Sequence, residues 1–294
     1  LTTINLKDPI MESGNHSYMA EGSAYLRAVH MSVDGEPKVL NDPLAATLLG
    51  SDLDDKIAAD RERLARPELI KARSLIIMRS RYAEDELAAA IDRDIKQYVV
   101  LGAGLDTSPY RGGHPAQQIQ TFEVDHPDTQ RWKLERLRSA GVQIRDNLQH
   151  VAVDFETDSL AERLTTCGFS HDEPTFFSWL GVSYYLNQES VLDIFRFVAS
   201  LPAPSQLVFD FVMGDSELNE TERNAMTKIT TFVEKYGEPW LCRFGPNDLQ
   251  KTLHNIGFGT TFYFSHEQAT RRYFENRPDG LFLDFTTQMM SAIV

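Results

Sequence analysis

Two glycines and an acid carry the first chemical signal in this chain of 294 residues. Gly102 and Gly104 follow directly on the apolar run Tyr98-Val99-Val100-Leu101. Glycines that end a strand leave bare backbone at the carboxyl edge of a sheet, where nucleotide-like ligands bind in open α/β folds. Thr107 or Ser108 is placed to cap a helix and Pro109 to enter its first turn, so a helix N-terminus is predicted at the same edge. About 20 residues on, Thr121-Phe122-Glu123-Val124-Asp125 reads as a second strand. It ends in an acid, Asp125, where a ribose-binding carboxylate belongs.

The same spacing restricts the ligand. Position 107 is Thr, so the third glycine of a dinucleotide fingerprint is missing, and no G-x-x-x-x-G-K-[ST] run exists. Glycines used for turn geometry alone are the plain alternative. A ligand with adenosine but no phosphates fits better, and S-adenosylmethionine is such a ligand. The turn would face its methionine portion and Asp125 its ribose hydroxyls. The eight histidines form no H-E-x-x-H spacing. Cys167 and Cys242 form no CxxC or metal spacing, so no metal is expected and both read as free thiols.

The elements that must hold these residues show a regular rhythm. Residues 1–95 read as helical: Glu21–His30, a short helix Leu44–Leu49 closed by Gly50, then one or two long helices over Arg61–Ile91. From about residue 96 strands alternate with helices. Candidate strands are Tyr98–Leu101, Ile119–Val124, His150–Val153, Thr175–Leu180 and Gln206–Val212. The helices between them include Thr129–Ala140, Ser159–Cys167 and Gln188–Ser200. This order predicts a mainly parallel sheet with right-handed crossovers. Helix Asn247–Ile256 follows, and Thr260–Phe264 with Gly280–Thr286 could add a strand pair. Met213–Gly245 breaks the rhythm and reads as a cap over the site. A single α/β domain is expected over 1–294, with 1–95 as a helical cover, 96–294 as the core and a cap insertion near 213–245.

Composition excludes some classes. The hydrophobic fraction of 42% and charged fraction of 24% are those of an ordinary globular chain. A net charge of −14, with pI near 5.0, argues against a broad nucleic-acid or anionic-membrane surface. No apolar run reaches the roughly 18 residues of a membrane span, and Leu1–Asp8 has no signal-peptide core. A cytoplasmic protein, monomeric or homodimeric, is expected.

The segments VVLGAGLDTSPYR, FEVDHPDTQRWKLERL, VAVDFETDSLAERL and FFSWLGVSYYL resemble the leucine carboxyl methyltransferase family. The likeness is to its bacterial branch, which includes polyketide carboxyl O-methyltransferases. SYMAEGSAYLRAV and GEPWLCRFGPNDLQKTLHNIGF extend it over nearly the whole chain. The resemblance implies a Rossmann-like class I methyltransferase fold: a mainly parallel seven-stranded sheet with helices on both faces. It implies S-adenosylmethionine as methyl donor. By the family pattern, Arg81 would hold the donor's carboxylate, with Arg79 as competitor and an Arg81–Asp85 surface pair as the plain alternative. Gly102 and Gly104 would form the turn, Asp106 the acid of GAGLDT, Asp125 the ribose ligand, and Asp154 with Phe155 the adenine wall. Two departures stand out. Relatives often carry Glu where this chain has Leu180, and a basic residue near Tyr18.

Acceptor-side candidates are Ser17, Tyr18, Tyr184 and Tyr185, with Arg271, Arg272 and Arg277 as further anion binders. A carboxylate acceptor is already ionised at pH 7 and needs no general base. The expected activity is therefore O-methylation of a small-molecule carboxylate, such as a secondary metabolite or polyketide. A protein C-terminal carboxylate, a phenolic hydroxyl, a donor-binding protein without catalysis and a nicotinamide oxidoreductase are the alternatives.

Overall fold

A computed structural model of the chain describes residues 18–155, 157–234 and 239–294. The N-terminal part is helical, as expected. Helix α1 (Tyr18–Val33) is followed by α2 (Leu44–Leu49), α3 (Leu53–Ala59) and α4 (Arg61–Leu64). Pro67, which favours the first turn of a helix, then starts α5 (Pro67–Ile91).

Strand β1 (Gln97–Leu101) opens the sheet. In chain order come β2 (Gln120–Asp125), α6 (Pro127–Ser139), β3 (Leu148–Ala152), α7 (Leu160–Thr166) and β4 (Thr175–Trp179). Helix α8 (Gln188–Ala199), β5 (Gln206–Val212), α9 (Glu220–Glu234) and α10 (Pro246–Ile256) follow. The chain closes with β6 (Thr260–Phe264), α11 (His266–Ala269) and β7 (Thr287–Ile293). The seven strands lie in the order β3-β2-β1-β4-β5-β7-β6. Strands β1 to β5 pair in parallel, and β7 runs antiparallel to both β5 and β6.

Two expectations change. The second strand of the C-terminal pair is Thr287–Ile293, not Gly280–Thr286: Met289, Met290 and Ala292 have no exposure there and pair along the whole of β5. The helix after the glycine turn is a single 3-10 turn, Ser108–Tyr110. Gly112-Gly113 and Pro115 stop its extension, and Thr107 gives its hydroxyl to Asp42 Oδ1 (2.6 Å) rather than to a cap.

The central strands β1, β4 and β5 are buried along their whole length. That is the reason they read as near-continuous apolar runs. Side chains alternate between two cores. Val99, Leu101, Phe177, Trp179 and Phe209 pack with Val191, Phe195, Leu249 and Leu253 of α8 and α10. Tyr98, Val100, Phe176 and Val208 pack with Ile77, Met78, Tyr82 and Leu87 of α5. The N-terminal helices join through buried charge: Arg73 on α5 makes two bonds to Asp34 (2.7 and 2.8 Å), which also takes His30 Nδ1 at 2.8 Å.

Candidate active site

The order of strands reverses between β1 and β4, and the crevice outside that point is where an open α/β sheet receives its ligand. The glycine turn lies there. Gly102 and Gly104 have φ of 64° and 46°, a conformation that side chains rarely adopt. A Cβ on Gly102 would overlap Val182 Cγ2, and one on Gly104 would stand 3.1 Å from Ala20 Cβ of α1. The turn is thus closed in between the β4 loop and the N-terminal cover. Arg27 of α1 adds a bond to the Leu105 carbonyl (2.6 Å) and one to Asp42 (2.7 Å).

Asp125 ends β2 beside this turn. Its Oδ2 accepts the Gly104 N–H and its Oδ1 the His126 N–H at 2.6 Å. Burial raises its pKa, although both N–H groups and Lys133 pull the other way. Asp106 accepts the Ser108 N–H at 2.6 Å. Burial opposes its charge too, but Lys133, then Arg27, hold it below the usual carboxylate range. Lys133 is itself buried and paired with Glu123 at 2.6 Å. Past the end of β3, Asp154 forms a turn: its carbonyl accepts from Thr157 and Asp158 (3.1 and 2.8 Å). Phe155 packs half-buried on the α8 side of the core. Asp125, Asp154 and Phe155 therefore share the carboxyl edge with the glycines.

The arginine at this edge is Arg79, not Arg81. Arg81 is 43% exposed, pairs with Asp85 (2.7 Å) and donates to the Val39 carbonyl (3.2 Å). Arg79 is buried and packs flat on Gly181, whose Cβ would meet Nη2 and Nη1 at 2.6 and 2.7 Å. Its Nη1 reaches Asp210 Oδ2 at 3.0 Å and the Tyr184 hydroxyl at 3.4 Å. Asp210 is the residue that sequence reasoning missed. It has no exposure, and its Oδ1 accepts the Gly181 N–H at 2.6 Å. Trp179 is the register partner of Phe209, so Asp210 stands across from Leu180. The acid absent from position 180 is thus matched by one on the neighbouring strand. A charge inside the apolar run QLVFDFV was the available signal, since such a charge requires a partner.

Tyr184 and Tyr185 lie in a 3-10 turn after β4, with ring centroids 4.7 Å apart. Tyr184 also meets Trp240 at 5.4 Å, and its carbonyl accepts the Leu241 N–H at 2.7 Å. Met213, Leu218 and Met226, with Val212 at the end of β5, complete this apolar cluster. Burial pushes the Tyr184 hydroxyl well above the usual tyrosine range. Ser17 lies outside the described residues, and Tyr18 is described only as the first residue of α1. The other proposed anion binders are engaged elsewhere. Arg272 pairs with Asp85 (2.8 Å), and Arg277 bonds Asp279 and the Gly35 and Pro37 carbonyls. Exposed Arg271 sits beside Arg272 in the same π-helical turn, Thr270–Phe274.

This edge suits an adenosyl donor that carries an amino-acid tail. Bare backbone at Gly102 and Gly104, a carboxylate at Asp125 and, behind Gly181, a buried guanidinium at Arg79 gather at this edge. Among the described residues no group of three or more His, Cys, Asp or Glu is arranged to hold a metal ion, and no helix is long and apolar enough to cross a membrane.

Residues 20–199 match the leucine carboxyl methyltransferase family. YktD of Bacillus subtilis (strain 168), named as an S-adenosyl-L-methionine-dependent methyltransferase, is 28% identical over 292 residues, covering 92% of this chain and 95% of its own. A similarly named protein of Mycobacterium ulcerans (strain Agy99) is 34% identical over 202 residues, 66% of this chain and 62% of its own. Among solved structures, a Thermobifida fusca YX protein named as a methyltransferase superposes with a TM-score of 0.55 at 15% identity, covering 92% of this chain and 93% of its own. That likeness shows the fold. The chain belongs to the leucine carboxyl methyltransferase family and is an S-adenosylmethionine-dependent methyltransferase.

Proposed function

We propose that this enzyme methylates a carboxylate of a small, largely apolar molecule. S-adenosylmethionine supplies an electrophilic methyl group on a sulfonium. Gly102 and Gly104 let the backbone approach the donor, Asp125 accepts from its ribose hydroxyls, and Asp154 with Phe155 borders its adenine. Arg79 takes its α-carboxylate, since a buried guanidinium offers five fixed donors. Tyr184, Tyr185 and Trp240 border the acceptor, and Met213 and Met226 back them.

One observation carries the carboxyl reading. Two titratable groups on the acceptor side, Asp210 and Tyr184, are both engaged. Asp210 is held by Gly181 and Arg79, and burial keeps Tyr184 protonated. Neither is free to serve as a general base. A carboxylate with a pKa of about 4 is ionised at pH 7 and needs none. The site's tasks are then to strip water from that carboxylate and hold one oxygen in line, roughly 3 Å from the methyl. The buried Trp240 indole N–H, which has no partner among the described residues, is a donor for the other oxygen.

The test is incubation with methyl-labelled donor and a bacterial extract, followed by separation of protein from small molecules. Label is expected in the small-molecule fraction, and mild alkali should release it as methanol, as a methyl ester requires. Label confined to protein, or label that resists alkali as an aryl ether does, would overturn the proposal.

A further inference from the structure

We propose that Asp210 is a positioning residue for donor binding: it pins the Arg79 guanidinium against the Gly181 backbone, so that the arginine meets the donor's α-carboxylate already oriented. The inference rests on the reading that Arg79 holds that carboxylate.

The geometry assigns each Asp210 oxygen a separate task. Oδ1 accepts the Gly181 N–H at 2.6 Å, which fixes the first turn after β4. Oδ2 accepts Arg79 Nη1 at 3.0 Å, which fixes the guanidinium. The two tasks are mechanically joined, because the guanidinium lies within 2.6 Å of where a Gly181 side chain would begin. Val182 follows at once and abuts Gly102. One carboxylate therefore sets the distance between the glycine turn and the cation. An unanchored arginine samples many rotamers, which a ligand would otherwise have to freeze on binding. Asp210 freezes it in the folded protein.

The charges agree with this arrangement. Burial opposes the Arg79 charge, but Asp210, together with Tyr184 and Tyr185, holds the guanidinium above its usual range. Only Nη1 carries the bonds to Asp210 and Tyr184, and the guanidinium has five donors. The donor's carboxylate and Asp210 would then flank one cation from two sides. Asparagine cannot replace Asp210. Its amide puts an NH2 donor where one of the two oxygens stood, facing either the Gly181 N–H or the Arg79 Nη1.

The experiment is calorimetric titration of the full chain with two ligands. S-adenosylhomocysteine carries the α-carboxylate; 5′-methylthioadenosine keeps the adenosyl thioether and lacks it. Asp210→Asn should weaken S-adenosylhomocysteine about tenfold and shift 5′-methylthioadenosine by less than about twofold. Equal losses for both ligands would mark a merely structural role and overturn the proposal, as would no loss for either. Arg79→Gln separates the two readings. If it leaves the ratio of the two affinities at the wild-type value, the Arg79 assignment itself fails. If it collapses the ratio while Asp210→Asn does not, only the Asp210 proposal fails. Should Asp210→Asn not fold, Gly181→Ala displaces the guanidinium by contact. It must show the same carboxylate-selective loss, and an unchanged ratio would overturn the proposal.

Discussion

Gly102→Ala tests whether the donor turn is built as described, and its cost has two separable parts. The first is backbone: φ is 64°, and a side chain in the left-handed region costs about 1–2 kcal/mol. The second is contact. The new Cβ would overlap Val182 Cγ2, while Val182 Cβ and Cγ1 both stand at 3.3 Å. Rotating a β-branched side chain brings another substituent into the same space, so it gives no escape. Overpacking of this kind costs about 1–3 kcal/mol. The expected destabilisation is roughly 2–5 kcal/mol, read from urea unfolding with fluorescence and circular dichroism required to coincide. Val182→Ala removes both methyls and should return the contact part. The double variant should therefore be about 1–3 kcal/mol more stable than the sum of the single losses. Strict additivity, or a Gly102→Ala cost below about 1 kcal/mol, would refute the close approach of the two loops.

Three further outcomes follow from the same geometry. Arg81→Ala should cost no more than about 1 kcal/mol, because a half-exposed pair with Asp85 is weak, and should leave S-adenosylhomocysteine affinity unchanged; a tenfold loss would restore Arg81 to the site. Lys133→Met should cost about 3–5 kcal/mol by thermal melting, since it takes the lysine cation from the buried Glu123 carboxylate and leaves it the Tyr110 hydroxyl and His150. Adding Glu123→Gln should recover most of that loss, and failure to recover it would show that the ion pair is not the cause. The third concerns pH. Burial raises Glu84 from 4.5 to about 7, so its contribution favours the fold at low pH and is lost as pH rises through that window. Burial, then Arg111, lowers His114 from 6.5 to about 4, so its contribution is present above 6.5 and lost as pH falls. Their slopes oppose each other between pH 4.5 and 6.5. Glu84→Gln should therefore make the melting temperature climb more steeply over that range than in the parent; an unchanged slope would refute the assignment.

The glycine turn after β1 was legible in the sequence because its determinants are local. A glycine forced to positive φ, a strand that alternates between two cores and an acid at a strand end each leave a short-range signature. Gly102, Gly104 and Asp125 come from that class. So do α2, closed by Gly50, and α5, opened by Pro67. The seven-stranded sheet and its helices on both faces were also legible, through the resemblance and the rhythm of strands and helices.

Where the sequence misled, the deciding contact was distant. Arg79 and Arg81 are two residues apart on one helix, about 200° around its axis, and both read as plausible anion ligands. The packing of Ile77, Met78 and Tyr82 of α5 on the sheet turned Arg79 inward and left Arg81 to Asp85. Asp210 meets its arginine across 131 residues, a pairing that periodicity does not encode. The strand at the C-terminus moved from Gly280–Thr286 to Thr287–Ile293 because β5 offered its full length as an antiparallel partner. By itself the sequence determined the fold class, the glycine turn after β1 and the acid that ends β2, since these depend on backbone geometry and burial pattern. Only the tertiary structure decided which arginine turns inward and which acid holds it, because a side chain's facing is set by the elements packed against it.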